Sequence, residues 1–566
     1  MSPETTVDRR TFLKAAGGAA ATASLAGCIG DGGDGGGDGD DGGDGGSGGT
    51  LVYARGDHPE NYDPQQTTSG EVAKVTNQIF DQLILFTPGS GGALEDGLAT
   101  DYSLDGESAN VTLREGVTFH DGEEFTAEDF RATYRRFADD SYDYYLGENR
   151  SGYGPFTLGN WVDSVNVQGD YELEIQLTQQ YAPFLRNLAM FAASVLSKTQ
   201  IESLGANPDD QVALGTDPVG TGAFALDQID NENQRVRLTA NDDFWGDGPQ
   251  VDAVVFKTIT ENSTRVQDVI NGDSHITDNL DSQSSQQVED AGSAELLSKD
   301  GINHGYMAMN MARREEFRSK EVRQAIAHAV NTEAIVNQIY EGFASQASQP
   351  LPPGVLGRNE DLDPYPTDKE QAEQLLADAG YEGGFEFELA TFSNPRGYNP
   401  SPIETANQVK SDLEEIGFTV NVNQFSTFSS YLDYTSAGNH DACFLGWYTD
   451  NADPDNFLYV LLDPKVDLED VPDGQDWVSF DTEGYSTLNV SGWANTEYME
   501  MVREAQRTYD EASRRSTYQE ANALAHEESP WVFVDYAKTL RAANEAVSSY
   551  TISSVGGPYL NTVTIN

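Results

Sequence analysis

Apolar residues alternate with polar ones at several places along this 566-residue chain. Each such place predicts a half-buried strand, because side chains of a strand point to opposite faces in turn. Val111 and Leu113 form a short pattern of this kind, and Tyr171, Leu173, Ile175 and Leu177 a longer one. Phe385, Phe387 and Leu389 repeat it, and Phe418, Val420 and Val422 follow. Elsewhere the apolar spacing is helical. Phe130, Tyr134 and Phe137 share one face of a helix that Thr126 can cap, and Val322, Ile326 and Val330 share a face of another opened by Ser319. Thr367 and Glu370 have the spacing of a capping box; Leu375, Leu376 and Ala379 continue that helix, and Gly380 stands where a left-handed residue ends it. A helix over Ser411 to Ile416 falls between the Phe385 and Phe418 strands, which predicts a β-α-β unit and an α/β C-terminal half. Pro and Gly cluster at 217–222 and 350–354, the expected crossings between lobes. No internal repeat and no membrane-spanning pattern follows residue 28.

Size and charge narrow this picture. A body of more than 500 residues is too long for one ordinary core, so two or more lobes are expected. The formal net charge is −61, from 94 acidic and 33 basic residues. In dilute buffer such a field strains a compact chain, whereas at molar salt the Debye length falls to ~3 Å and screens it. Acidity spread along the chain, with Arg outnumbering Lys, reads as a halophile's means of staying solvated. It excludes nucleic acid, whose phosphates need a basic face. Of two cysteines, Cys443 lies between Ala442 and Phe444 and reads as a small core residue, leaving no disulfide framework. The seven histidines show no paired metal-ligand spacing, so neither a metal site nor a cofactor is expected.

The N-terminus carries an address. Arg9 and Arg10 precede a short, Ala/Gly-rich apolar run, the form of a twin-arginine export signal, and the run is too short for a span of ~20 residues. Leu25-Ala26-Gly27-Cys28 resembles a lipobox, which makes Cys28 the lipid-attachment residue of an extracytoplasmic, membrane-anchored protein. Residues 29–50 are nearly pure Gly and Asp and read as a disordered tether.

Several blocks of the body resemble the solute-binding proteins, family 5, of dipeptide, oligopeptide and nickel ABC importers. Val111 to Gly122, continued by Phe125 to Asp129, is similar to the family's signature stretch. Asp217 to Phe224, Asn241 to Trp245 and Val322 to Ile326 follow in family order. Gly446 to Asn451 with Asp453 to Phe457 is similar to the dipeptide-binding branch, in a haloarchaeal-type lipoprotein. The resemblance implies an α/β, two-lobed, periplasmic-binding-protein-like type II fold with an additional domain (cluster C type). Residues 51–90, 216–303 and 526–566 would form lobe I, 91–215 the additional domain and 304–525 lobe II. It also implies a monomer that carries small peptides, in an interlobe cleft, to an ABC permease and its ATPase.

A zwitterionic peptide needs an anion for its ammonium and a cation for its carboxylate, and charge-assisted hydrogen bonds contribute ~1.5–3 kcal/mol each. By resemblance Asp450 receives the amino terminus, and Arg396, on a loop with Tyr398, holds the carboxylate with its guanidinium fork. Trp447 would wall the cleft, and Thr68, Ser69 and Gly70 would line it from the first lobe. The bland alternatives are solvated surface groups: Asp450 beside Asp453 and Asp455, and Arg396 pairing with nearby acids. His120 and Asp121 read as structural. The loop from Asp450 fails a calcium-loop pattern, since Ala452 holds its third position and no glycine its sixth. Other cargo, a nickel chelate or an oligosaccharide, would use the same machine; His440 lies near the Trp447 motif but has no partner at ligand spacing. An exported hydrolase is the remote reading: the many acids leave a glycosidase-like pair open, but the body has no Gly-x-Ser-x-Gly elbow and no His-Glu-x-x-His. The chain is therefore expected to be a binder and not an enzyme.

The charge yields the first prediction. The melting temperature should fall as salt is lowered from molar to millimolar concentration, read by calorimetry; a salt-independent transition contradicts the halophilic reading.

Overall fold

The computed structural model describes residues 48–147, 153–393 and 395–566. Arg9, Arg10, Cys28 and nearly all of the Gly/Asp tether lie outside them. Thr50, expected to end the tether, already belongs to a strand.

Twelve strands make one mixed sheet. In chain order they are β1 (Thr50–Arg55), β2 (Phe224–Asp230), β3 (Arg235–Ala240), β4 (Ala253–Thr258), β5 (Ile276–Asp278), β6 (Ala294–Asp300), β7 (Asn303–Met309), β8 (Ala344–Gln346), β9 (Glu386–Phe392), β10 (Thr419–Phe425), β11 (Ala442–Tyr448) and β12 (Trp531–Asn544). Their order across the sheet is β10-β9-β11-β7-β12-β5-β1-β4-β3-β2, with β6 and β8 also paired to β12. β12 has 14 residues, about 45 Å of extended chain. Its first half pairs with β7 and β8, and its second half with β5 and β6. One strand therefore belongs to both lobes. The boundary expected near residue 526 falls inside the helix Glu511–Glu528. At the changeover the Asn303 side chain stands in for a strand neighbour: its amide donates to the Ala537 carbonyl and its oxygen accepts from the Ala537 N–H, both at 2.8 Å.

The first lobe buries Tyr53, Val75, Phe224 and Phe256 in a core that also takes in Ala132, Leu196, Ile201 and Leu214 of the additional domain. The second lobe shares a continuous core with the additional domain. That domain is a four-stranded antiparallel sheet, ordered 99–105, 108–113, 172–177 and 162–169. Leu173, Ile175 and Leu177 alternate inward as their spacing predicts. The helix Ala127–Ala138 packs with them, and Asp129 accepts from the Thr126 N–H at 2.9 Å to close its first turn. Ser319 caps Lys320–Ala329. β9 and β10 run parallel, with the helix Pro402–Glu414 between them, which is the expected β-α-β unit.

Two local expectations are corrected. Asp368, not Thr367, caps the helix Lys369–Asp378, accepting from the Gln371 N–H at 3.0 Å. A full carboxylate suits the positive helix end better than a hydroxyl. The helix still ends at Gly380, with φ +83°. Residues 350–354 do not cross between lobes. They lie between β8 and that helix, within the second lobe, and fold inward with Leu351 buried and its carbonyl held by Arg358.

Residues 217–222 seat the additional domain on the first lobe. The Gly222 N–H donates to Ile79 O at 2.8 Å, and the His120 N–H donates to Gly220 O at 2.9 Å. The His120 ring lies 3.0 Å from Gly222 O, so His120 is structural as expected. A Cβ at Gly220 or Gly222 would collide with the Ile79 carbonyl. Gly220→Ala should therefore cost about 1–3 kcal/mol, measured as a lower urea midpoint with an unchanged slope.

Candidate functional site

Gly305 of β7 and Gly446 of β11 face each other across the sheet. Lacking Cβ atoms, they leave a trough. A Cβ at Gly446 would strike the Tyr398 ring, and one at Gly305 would strike the Tyr398 carbonyl oxygen. Tyr398 lies in that trough as part of a tight turn, closed by Arg396 N–H to Asn399 O and Asn399 N–H to Arg396 O, both 2.9 Å. Gly397, beside it, admits the Tyr448 hydroxyl, which no side chain could do. Tyr448 is 42% exposed, the one large apolar side chain reported exposed among the described residues. It offers an aromatic platform beside the turn, its ring centre 6.2 Å from that of Tyr398. Burial pushes the Tyr398 hydroxyl well above the ordinary tyrosine range, and the Tyr448 hydroxyl, enclosed against Gly397 while its ring stays open, is raised for the same reason, so both are neutral. The Arg396 guanidinium rests 3.7 Å over the Phe428 ring, and its Nε is buried with no hydrogen-bond partner among the described residues. A cation–π shelf orients the fork without neutralising it.

The facing group stands in the loop that leaves β11. Asn456, fully buried, accepts from the Trp447 indole at 2.9 Å and from the Asp450 N–H at 3.0 Å. Its amide lies 3.5 Å from the Asp450 carboxylate, whose other oxygen accepts from the Tyr153 hydroxyl at 2.8 Å. Burial raises the Asp450 carboxyl to about 6, while the Tyr153 and Asn456 hydrogen bonds hold it down. Asp450 is thus half-buried rather than surface-solvated, and among the described residues it has no ion-pair partner. Asp453 and Asp455, its neighbours in the bland reading, are fully buried. Arg514 donates two hydrogen bonds to Asp453, at 2.9 and 2.7 Å, and holds its carboxyl below the usual range against burial. Burial, then the nearby Asp453 charge, pushes Asp455 up to about 7.

Asp450, Arg396, Trp447, Tyr398, Thr68 and Gly70 line one cavity of about 1540 Å³ between the lobes. Ser69 is the exception: its hydroxyl accepts from the Glu71 N–H at 3.2 Å and caps the helix Gly70–Ile79, so it supports the wall without forming it. Trp447, tethered to Asn456, is half-buried, and Tyr448 beside it presents the more open ring. The first-lobe wall holds charges that local patterns did not flag. Lys74 bridges Glu71 and Asp278 at 2.6 Å each, and Arg541 pairs in register with Asp278. Tyr153 was also missed, because it comes from the additional domain and no repeat marks it. Asn456 was inside a quoted motif, with its role as organiser unread. His440 is buried against Val490 O at 2.9 Å, pushed down to about 4 by burial. Among the described residues no group of three or more His, Cys, Asp or Glu could hold a metal ion. Cys443 is buried and free. No helix among them is long and apolar enough to cross a membrane.

Comparison with known proteins agrees with this architecture. The family profile of "Bacterial extracellular solute-binding proteins, family 5 Middle" matches residues 93–467. The dipeptide-binding protein of Escherichia coli (strain K12) is 28% identical over 91% of this chain and 94% of its own. Heme-binding protein A of Haemophilus influenzae is 27% identical over 90% of each. The periplasmic binding protein DppA from Helicobacter pylori, solved with the peptide STSA, superposes with a TM-score of 0.75 and 29% identity, covering 92% of this chain and 98% of that one.

The Tyr153 contact makes a measurable claim. Asp450 should titrate near pH 6 by carboxyl carbon-13 resonance, and Tyr153→Phe should raise that value, since it removes a bond that favours the charged form. An unmoved titration takes Tyr153 out of the site.

Proposed function

The chain belongs to the bacterial extracellular solute-binding proteins, family 5, and from that premise we propose that it captures small peptides for an ABC importer. The supporting observation is that Asp450 and Arg396 line one cavity: among the described residues the acid has no cationic partner and the guanidinium Nε has no acceptor. Asp450 receives the peptide ammonium, with Tyr153 and Asn456 yielding or sharing their bonds. Arg396 holds the carboxylate from its shelf on Phe428. Tyr448 and Trp447 give the backbone and first side chain an apolar wall, and the wide remainder of the cleft takes varied side chains through water. Hinge closure of the two lobes buries the ligand, and the closed form docks on the permease and its ATPase.

The export address and Cys28 complete the reading. The protein crosses the membrane by the twin-arginine route, is held outside by lipid on Cys28 and acts as a monomer on a flexible acidic leash. A leash of ~20 residues spans about 25 Å, short enough to keep the binder beside a membrane-embedded importer. The mass of the mature amino terminus tests the anchor.

Calorimetric titration with di- and tripeptides, a nickel chelate, heme and oligosaccharides tests the cargo. Peptides should bind, and Asp450→Asn should weaken them at least tenfold, about 1.4 kcal/mol. The sign of the pH effect follows from the raised carboxyl. Above about 6 Asp450 is charged and affinity is constant; below it the proton competes with the ammonium, and affinity falls by up to roughly tenfold per pH unit. Tight binding of another solute with no peptide response overturns the proposal.

A further inference from the structure

Asp535 lies on β12 next to the changeover between lobes, fully buried, and neither carboxyl oxygen has a hydrogen-bond partner among the described residues. It is the register partner of Gly305 and of Gln346. Both oxygens would be acceptors if ionised, and a buried carboxylate without donor or cation is among the costliest groups a core can hold. The packing shows what stands beside it. The space a Cβ would take at Gly305 is filled from two sides, by Asp535 Oδ1 and by the Tyr398 carbonyl oxygen. Two acceptor oxygens thus crowd the same face of Gly305, an arrangement that a proton on Asp535, shared with the Tyr398 carbonyl, would relieve.

We propose that Asp535 is a neutral carboxylic acid that donates to the Tyr398 carbonyl and so fixes the turn presenting Arg396. It is a positioning residue: it lies against Gly305 behind the turn and is not among the residues that line the cavity. The groups around it leave the proton in place. Tyr340 and the Tyr448 of β11 contribute hydroxyls whose loss of a proton its charge would oppose. β8 contributes Gln346, and β7 contributes Gly305 and the neighbouring His304, which is buried and pushed down to about 3, hence uncharged. Burial alone acts on Asp535, and it drives the carboxyl far upward. A fixed turn matters because a fork displaced by an ångström loses its bidentate geometry. That consequence rests on the proposed role of Arg396; the tie between Asp535 and Tyr398 does not.

The test is infrared difference spectroscopy of the whole protein at about pH 9, where Asp450 and Asp455 are ionised. A protonated-carboxyl band should be present in the wild type and absent from Asp535→Asn. An amide can still donate to Tyr398 O, so this variant should keep slow hydrogen exchange at the Arg396 and Asn399 N–H groups and wild-type peptide affinity within about threefold. Asp535→Ala, which cannot donate, should speed that exchange and weaken peptides at least tenfold. An identical spectrum for Asp535→Asn, or unchanged exchange in Asp535→Ala, overturns the proposal; should Asp535→Ala not fold, the Asn spectrum decides. If band and exchange behave as expected while no protein binds peptide, the cargo reading fails and the tie stands.

Discussion

One strand's hydrogen bonds hold the two halves of this molecule in register. β12 runs antiparallel to β7 and β8 on one side of its midpoint and to β5 and β6 on the other. Neither lobe can slide against the other without breaking a ladder, so relative motion is confined to bending and twisting of the shared strand. The changeover is therefore held from both sides. There the Asn303 side chain takes both hydrogen bonds of Ala537, and Gly301 has no room for a side chain against the Ala537 carbonyl. Ala537 to Arg541 of the shared strand line the same cleft as the proposed ligand contacts.

The cleft is polar in an ordered way. The loop behind its second-lobe wall takes acids out of water and satisfies most of them, Asp453 with Arg514, Asp455 with Gln506, and Asp450, which alone of the three lines the cleft, with Tyr153 and Asn456. Buried pairs of this kind contribute little net stability, because desolvation offsets much of the attraction, but they pin a loop in one geometry. What remains unsatisfied is informative for the same reason. Among the described residues Asp450 keeps only neutral donors and Arg396 keeps an unfilled Nε, so a zwitterion would complete both.

Most regular elements were legible because their causes are local. Alternation at Leu173, Ile175 and Leu177, the serine cap at Ser319 and the left-handed Gly380 each depend on neighbours a few residues away. The misreadings were local too. Thr367 and Asp368 compete for one cap, and a Pro/Gly cluster at 350–354 marks a turn without saying whether it joins two lobes or stays inside one. Ser69 was assigned to the cleft wall, yet its hydroxyl is used by its own helix.

The sequence by itself determined the α/β alternation, the acidic surface, the family and the candidacy of Asp450 and Arg396. Only the tertiary structure decided what those two residues are. Tyr153 reaches Asp450 across 297 positions of chain, and Asp535 meets Gly305 because the last strand inserts beside one formed much earlier. A carboxylate's charge is set by the dielectric and donors around it, and the donors to Asp450 come from its own loop and from a stretch of the additional domain far away in sequence. No window of sequence holds them together; folding does.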